Sequence, residues 1–304
     1  MPFLLRLLYV VATYLLVPFV LLHLFWKGFG NSDYWRRIGE RFGFFPEPGF
    51  DAVIWVHAVS VGEVQAAAPL VRQLLTRYPD HTVVVTTMTP TGSDRVRSLF
   101  GDQVVHVYVP FDLDWPVKKF FDWCNPSIAI ILETELWPNL YHECGEREVP
   151  LVLASARVSE KSVGRYRMLV SLFEKTLSHG IVIAAQTQMD ADRFVSIGAS
   201  VDKAHLTGNI KFDFELPAGV SEEGQALRQQ YAADRPVWVA ASTHAGEEEV
   251  IIEAHRQVLQ KYPDALLILV PRHPERFDGI AAMLEKQKIS FVRRSAGSVC
   301  DQST

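Results

Sequence analysis

The sequence predicts an α/β protein of two parallel-sheet lobes, the second incomplete, behind an apolar N-terminal helix. Three observations carry this. After Arg6, about 20 residues pass without a charged side chain, enough at helical rise to cross a hydrocarbon core of roughly 30 Å. From Val53 onward, short β-branched apolar runs alternate with amphipathic stretches, the pattern of a parallel sheet with crossover helices. That pattern breaks at a segment rich in Gly and Pro near Gly208 and then begins again.

The apolar stretch runs from Leu7 to Trp26 (LLYVVATYLLVPFVLLHLFW), with Tyr9, Phe25 and Trp26 suited to the interfaces. Only Arg6 precedes it, whereas Lys27, Arg36, Arg37 and Arg41 come after it, so the positive-inside bias places the body of the protein in the cytoplasm. Pro18 is expected to kink the helix and His23 disfavours deep insertion at that end. A cleaved signal peptide would need a shorter apolar core and a small-residue cleavage site, and an in-plane anchor would need a polar face. A spanning or deeply embedded anchor over 1–30 is therefore the expectation, with a buried soluble helix as the alternative.

The first lobe, 31–207, opens with a polar, aromatic-containing stretch from Asn31 to Gly49. Strands are expected at Val53–Ala58, Thr82–Thr87, Val104–Tyr108, Ile128–Leu132, Leu151–Ala154, Ile181–Ala185 and Ala204–Leu206. Helices fit between them at about Val64–Tyr78, Gly92–Phe100, Trp115–Cys124 and Met189–Ile197. The segment GNIKFDFELPAG loses periodicity and reads as a linker over 208–220. The second lobe, 221–304, offers strands at Val237–Ala241, Ala265–Val270 and Ser290–Arg293, with helices at about Glu247–Tyr262 and Pro274–Gln287. Three strands would leave an unpaired edge and little buried surface, so the chain is expected to continue beyond Thr304. The tail from Arg294 to Thr304 is polar and is not expected to pack.

Composition narrows the functional classes. A net charge of −5 without a basic stripe argues against a nucleic-acid partner. Three widely spaced cysteines, Cys124, Cys144 and Cys300, give neither a disulfide framework nor a metal-ligand spacing. The histidines show no H-E-x-x-H pattern, so neither a metal nor another cofactor is expected, and the glycines show no G-x-G-x-x-G or Walker pattern.

Candidate chemistry sits at strand ends, where open α/β sheets place their ligands. In WVHAVSVGEV, a strand runs into Ser60 and Glu63; S-x-x-E is also a capping box, and spacing alone does not separate the two roles. In IAIILETELWPN, a strand delivers Glu133 and Glu135, one of which should face the ligand side; a surface charge is the ordinary alternative. In ILVPRHPER, Arg272, His273 and Arg276 lie just past a strand near a helix start, which suits a phosphate or a solvated basic loop. Ser242, Thr243 and His244 in ASTHAGEEE could meet a nucleotide or cap a helix. Lys211, in the linker, has no distinguishing feature of its own.

Taken together, WVHAVSVGEV, TTMTPTGSDRV, PFDLDWPVKKF, LETELWPN, LASARVSEKS, GNIKFD, ASTHAGEEE and LVPRHPERF resemble the lipid A Kdo transferases, where Kdo is 3-deoxy-D-manno-octulosonic acid. The resemblance runs in order through nearly the whole chain to about Phe277. It implies a GT-B type glycosyltransferase of two Rossmann-like lobes, the first receiving the lipid acceptor and the second binding CMP-Kdo. Carried over by position, Glu63 matches the general base, Glu133 and Lys211 match residues assigned to transition-state stabilisation, and Pro271, Arg272 and His273 match part of the CMP site. The implied reaction is inverting transfer of Kdo to a lipid A precursor (lipid IVA) at the inner membrane, with the catalytic domain facing the cytoplasm. The family's later glycine-rich elements, which complete the CMP pocket, have no counterpart before Thr304. The alternatives are an inactive membrane-bound fragment that keeps acceptor binding, and a GT-B transferase using another nucleotide sugar.

Overall fold

A computed structural model of the chain describes residues 2–47, 49–50, 52–164, 166, 181–213, 216, 218–297 and 300. It divides into two compact units, Met1–Glu215 and Leu216–Thr304. Of the expected linker, Phe214, Glu215 and Pro217 lie outside the described residues, as do 298–299 and 301–304 of the polar tail.

The first unit opens with helix α1 (Pro2–Gly30), which continues through Pro18. Its Leu4–Gly30 stretch has a mean hydropathy of 2.2 and is long and apolar enough to cross a membrane. The stretch after α1 forms two short 3-10 turns, Ser32–Tyr34 and Glu40–Phe42, and is further fixed by side chains. Arg41 is only 2% exposed; its guanidinium donates to the Met88 carbonyl at 2.7 Å and lies 4.3 Å from the centre of the Tyr108 ring. Phe45 stacks on Trp123 at 4.8 Å.

Seven parallel strands come next: β1 (Val53–His57), β2 (Thr82–Thr87), β3 (Val105–Tyr108), β4 (Pro126–Leu132), β5 (Leu151–Ala156), β6 (Ile181–Ala185) and β7 (Ala204–Leu206). They are ordered β3-β2-β1-β4-β5-β6-β7. Both faces are covered, so successive residues of one strand enter different cores. Val53 and Trp55 join a cluster with Phe120, Phe121, Ile131 and Ile183, whereas Ile54 and Val56 join Val64, Val71, Val85 and Val96. The helices supplying these contacts are α2 (Val61–Arg77), α3 (Pro90–Phe100), α4 (Asp114–Cys124), α5 (Pro138–Glu146) and α6 (Gln188–Ser196). Burial of each large side chain contributes roughly 1.5–3 kcal/mol. The β7 edge is only three residues long, a length that limits edge pairing.

The expected strands of this unit are present, with ends shifted by at most two residues. Helix α5 was not expected. Its sequence, PNLYHECGE, is polar in composition, yet Leu140, Tyr141, Glu143 and Cys144 are all buried.

The second unit pairs β8 (Val237–Thr243) with β9 (Leu266–Pro271) in parallel, accompanied by α7 (Val220–Ala232), α8 (Glu247–Lys261) and α9 (Phe277–Lys286). Val239, Ile268 and Val270 on these strands are exposed. The expected third strand at Ser290–Arg293 is not formed. Lys288 turns the chain at φ 56°, and 290–293 finds no ladder partner among the described residues before a 3-10 turn at Arg294–Ala296. Two β-prone residues, Phe291 and Val292, without a hydrogen-bonding neighbour do not make a strand.

Candidate functional site

Strand β1 pairs with β2 on one side and β4 on the other. The chain fills the sheet from β1 to β3 in one direction, then crosses over and fills it from β4 to β7 in the other. The reversal lies between β1 and β4, and the space beyond their carboxyl ends is where this topology opens a crevice. Glu63 lies past the end of β1, and Glu133 and Glu135 lie past the end of β4.

Glu63 lies in the first turn of α2, whose N-cap is Ser60. Its Oε2 accepts from the Val59 amide at 2.8 Å and its Oε1 from the Ser60 hydroxyl at 3.0 Å, while its own amide donates to Ser60 Oγ at 3.4 Å. The capping geometry is therefore real, and it aims the carboxylate back toward the end of β1. Burial raises the Glu63 pKa, and the charges of Glu135 and Glu133 raise it further, outweighing the hydrogen bonds that lower it.

Glu133 sits at φ 57°, a left-handed conformation uncommon for a residue with a side chain. Its amide is held by the Ala154 carbonyl at 2.9 Å. Lys211 Nζ reaches its Oε1 at 2.6 Å, and Arg157 reaches its Oε2 at 2.9 Å. Burial alone would raise the Glu133 pKa, but the Lys211 hydrogen bond and the two cations hold it below its ordinary value. Lys211 is placed by the turn Ile210–Phe212, where Asn209 Oδ1 accepts from the Lys211 amide and the Ile210 amide donates to Ser155 Oγ. Ser155 is itself at φ 56°, at a register shift in β5 two residues before Arg157. A bulge of this kind re-aims the side chains beyond it.

Glu135 accepts from Trp137 Nε1 at 2.8 Å, and its pKa is raised by burial and by the charge of Glu133. The Trp137 ring meets His57 edge-on at 5.6 Å. His57 is buried with Nδ1 2.8 Å from Thr86 Oγ1, and burial lowers its pKa to about 4, so it is neutral at physiological pH. Three neighbouring carboxylates are thus differentiated: Glu133 is held ionised, whereas Glu63 and Glu135 are made more basic. A pocket of about 580 Å³ opens beside Glu133 and Glu135, lined by residues that include these two, Arg157, Gln186, Asp190 and Arg193; Glu63 and Lys211 are not among its lining residues.

In the second unit, Pro271 ends β9 and the Arg272 amide donates to the Thr243 carbonyl at 3.0 Å, joining the ends of β8 and β9. His273 and His244 meet edge to face at 5.8 Å. The Arg272 side chain is exposed and makes no ion pair among the described residues, whereas Arg276 is bound to Glu248 through both nitrogens at 2.7 and 2.8 Å. Among the described residues no group of three or more His, Cys, Asp or Glu side chains could hold a metal ion. None of the three cysteines is in a disulfide; Cys124 and Cys144 are buried, and Cys300 Sγ accepts from Arg235 at 3.0 Å.

Glu133 and Lys211 meet across 78 residues of sequence. Arg157, between them in sequence and bound to the same carboxylate, was not singled out by its local sequence; its position just past β5 was the available signal.

The family model described as 3-Deoxy-D-manno-octulosonic-acid transferase (kdotransferase) matches residues 36–214. A protein of Haemophilus influenzae named 3-deoxy-D-manno-octulosonic acid transferase is 43% identical over 90% of this chain and 65% of its own length. One of the same name from Bordetella pertussis is 36% identical over 90% of this chain and 63% of its own length. The chain thus spans a little under two thirds of these relatives. In three dimensions it is similar to UDP-GlcNAc 2-epimerase from Neisseria meningitidis bound to UDP-GlcNAc, with a TM-score of 0.55 at 13% identity over 79% of this chain and 70% of that one. That likeness concerns the fold, which is α/β of the GT-B type. The chain belongs to the 3-deoxy-D-manno-octulosonic-acid transferase family, a family of glycosyltransferases.

Proposed function

We propose that this member of the family transfers Kdo from CMP-Kdo to a sugar hydroxyl of a lipid A precursor, lipid IVA, with inversion and with Glu63 as general base. The observation that carries this reading is the placement of two carboxylates at the β1–β4 reversal: Glu63, held by the cap of α2 beyond the end of β1, and the cation-bound Glu133 beyond the end of β4. In the reaction the Glu63 carboxylate takes the acceptor hydroxyl proton as that oxygen bonds to the anomeric carbon of Kdo. The bond from that carbon to the phosphate oxygen breaks, and its electron pair leaves with CMP. A base in this role works best with a pKa raised toward the operating pH, which favours Glu63 over Glu133. Glu133 orients Lys211 and Arg157, whose positive charges stabilise the charge that develops during transfer. Pro271, Arg272 and His273 form part of the CMP site, with the exposed Arg272 guanidinium meeting the phosphate. The division into an anchor over 1–30, an acceptor domain over 31–207, a linker over 208–220 and a CMP-Kdo-binding portion over 221–304 belongs to the same reading. The apolar α1 holds the enzyme at the inner membrane, and the Lys and Arg residues after it favour the cytoplasmic side, where the acceptor is encountered in two dimensions.

The test is turnover of CMP-Kdo with lipid IVA by the purified chain, with CMP and UDP as competing inhibitors. Transfer inhibited by CMP and not by UDP is expected. Inhibition by UDP alone would favour a different nucleotide sugar, and binding of lipid IVA without turnover would overturn the enzymatic reading.

A further inference from the structure

The exposure of α1 is not uniform. Arg6, Tyr9, Val10, Thr13, Val17, Val20 and Leu24 are shielded, while Leu4, Leu8, Val11, Leu15, Phe19, Leu22 and Trp26 are open. The shielded positions recur every three or four residues, which is one face of a helix. At its N-terminal half this face is joined to the body by polar contacts. Arg6 pairs with Asp114 at 3.0 Å, and the Tyr9 hydroxyl donates to Asp112 at 2.7 Å. The Tyr14 hydroxyl accepts from the Trp115 amide at 3.4 Å. Asp112 is in turn fixed to the first turn of α5, accepting from the Asn139 and Leu140 amides at 3.1 and 2.9 Å.

These contacts constrain how α1 can meet a bilayer. From Trp26 back to Arg6 the helix rises about 30 Å, the full thickness of the hydrocarbon core. A spanning α1 would put Arg6 at the far side and draw Asp112, Asp114 and the starts of α4 and α5 in with it. Charged groups there are strongly disfavoured. The opposite, open face is apolar along its length. Beside the docked end, Trp115 and Phe44 are exposed with rings 5.6 Å apart, and Lys119 Nζ lies 5.8 Å from Trp115. Aromatic rings flanked by lysine suit the headgroup level of a membrane.

We infer that α1 lies in the plane of one leaflet, its open face in the acyl chains and its other face docked on the body, so that both ends of the helix are on the same side of the membrane. This rests on the membrane reading above and fixes its topology. The helix sequence alone carries no polar face because the protein body takes that place. The occupant of the open face is a lipid leaflet, because the face is apolar from Leu4 to Trp26 and is bordered by aromatic and cationic side chains rather than by acidic ones.

The test uses the full chain carrying a protease-cleavable tag at each end, expressed in a Gram-negative host. Protease is added to inverted inner-membrane vesicles and to spheroplasts, and the purified chain is floated with vesicles of phosphatidylethanolamine and phosphatidylglycerol. Flotation, with both tags removed to the same extent in inverted vesicles and neither removed in spheroplasts, is the expected result. Removal of the N-terminal tag in spheroplasts, or its protection in both preparations, overturns the in-plane topology while leaving membrane association intact. Failure to float, with release from membranes by washing, overturns the membrane reading itself.

Discussion

Replacing Glu133 by Gln removes a charge held between two cations and leaves the shape of the side chain nearly unchanged. The Glu133 side chain is 16% exposed, but its partners Lys211 and Arg157 are 46% and 59% exposed, so solvent screens both pairs. Pairs of this kind contribute about 0.2–1 kcal/mol each. The variant should therefore lose at most about 2 kcal/mol of stability, a drop in Tm of roughly 4–8 °C for a unit of this size. If Glu133 orients Lys211 and Arg157 toward developing charge, the loss in kcat is larger, about 10²–10³-fold. Thermal melting and steady-state transfer of Kdo, measured on one preparation, separate the two effects. The stability part also has a definite pH dependence. The folded pKa of Glu133 is lowered, so its contribution is present above the ordinary value of 4.5 and is lost as pH falls through the folded value. The gap in Tm between the variant and the unaltered chain should close in that acidic range. Full turnover in the variant would refute the reasoning. So would a collapse in Tm, which would make Glu133 a structural residue.

Two further outcomes are expected. Trp137→Phe removes the donor to Glu135 and should cost about 1 kcal/mol in denaturant unfolding. In the second unit, Glu248 is held at a pKa of about 2, chiefly by its hydrogen bonds from Arg276. Arg276→Ala should move its carboxyl titration upward in NMR, and an unchanged titration would show that the pair does not set it.

Much of the first unit was legible because its strands are buried on both faces. Runs such as VIWVH and TVVVTT carry their own signal. Helix α5 was illegible for the converse reason: it is nine residues long, and the polar Asn139 and Glu143 are buried in it beside Leu140, Tyr141 and Cys144. Helix α7 was also unexpected; among its residues Ala232 is buried, so it presents almost no hydrophobic periodicity. The segment Ser290–Arg293 has β-prone residues, Phe291 and Val292, but lacks a neighbouring strand among the described residues, and sequence reports the first without the second. At the candidate site, strand-end logic located Glu63 and Glu133. It did not reveal that Lys211 and Arg157 close on one carboxylate, because that contact depends on the left-handed Glu133, the shifted register at Ser155 and the turn at Asn209.

The most direct test of the account is the turnover of Glu63→Gln beside its melting temperature. Gln retains an acceptor oxygen for the helix cap, so the cap is largely preserved and stability should fall by no more than about 1 kcal/mol, a drop in Tm of roughly 2–4 °C, whereas the loss of the base should lower kcat about 10²–10⁴-fold. Retained turnover at unchanged stability would contradict the account and leave Glu63 as a helix cap alone.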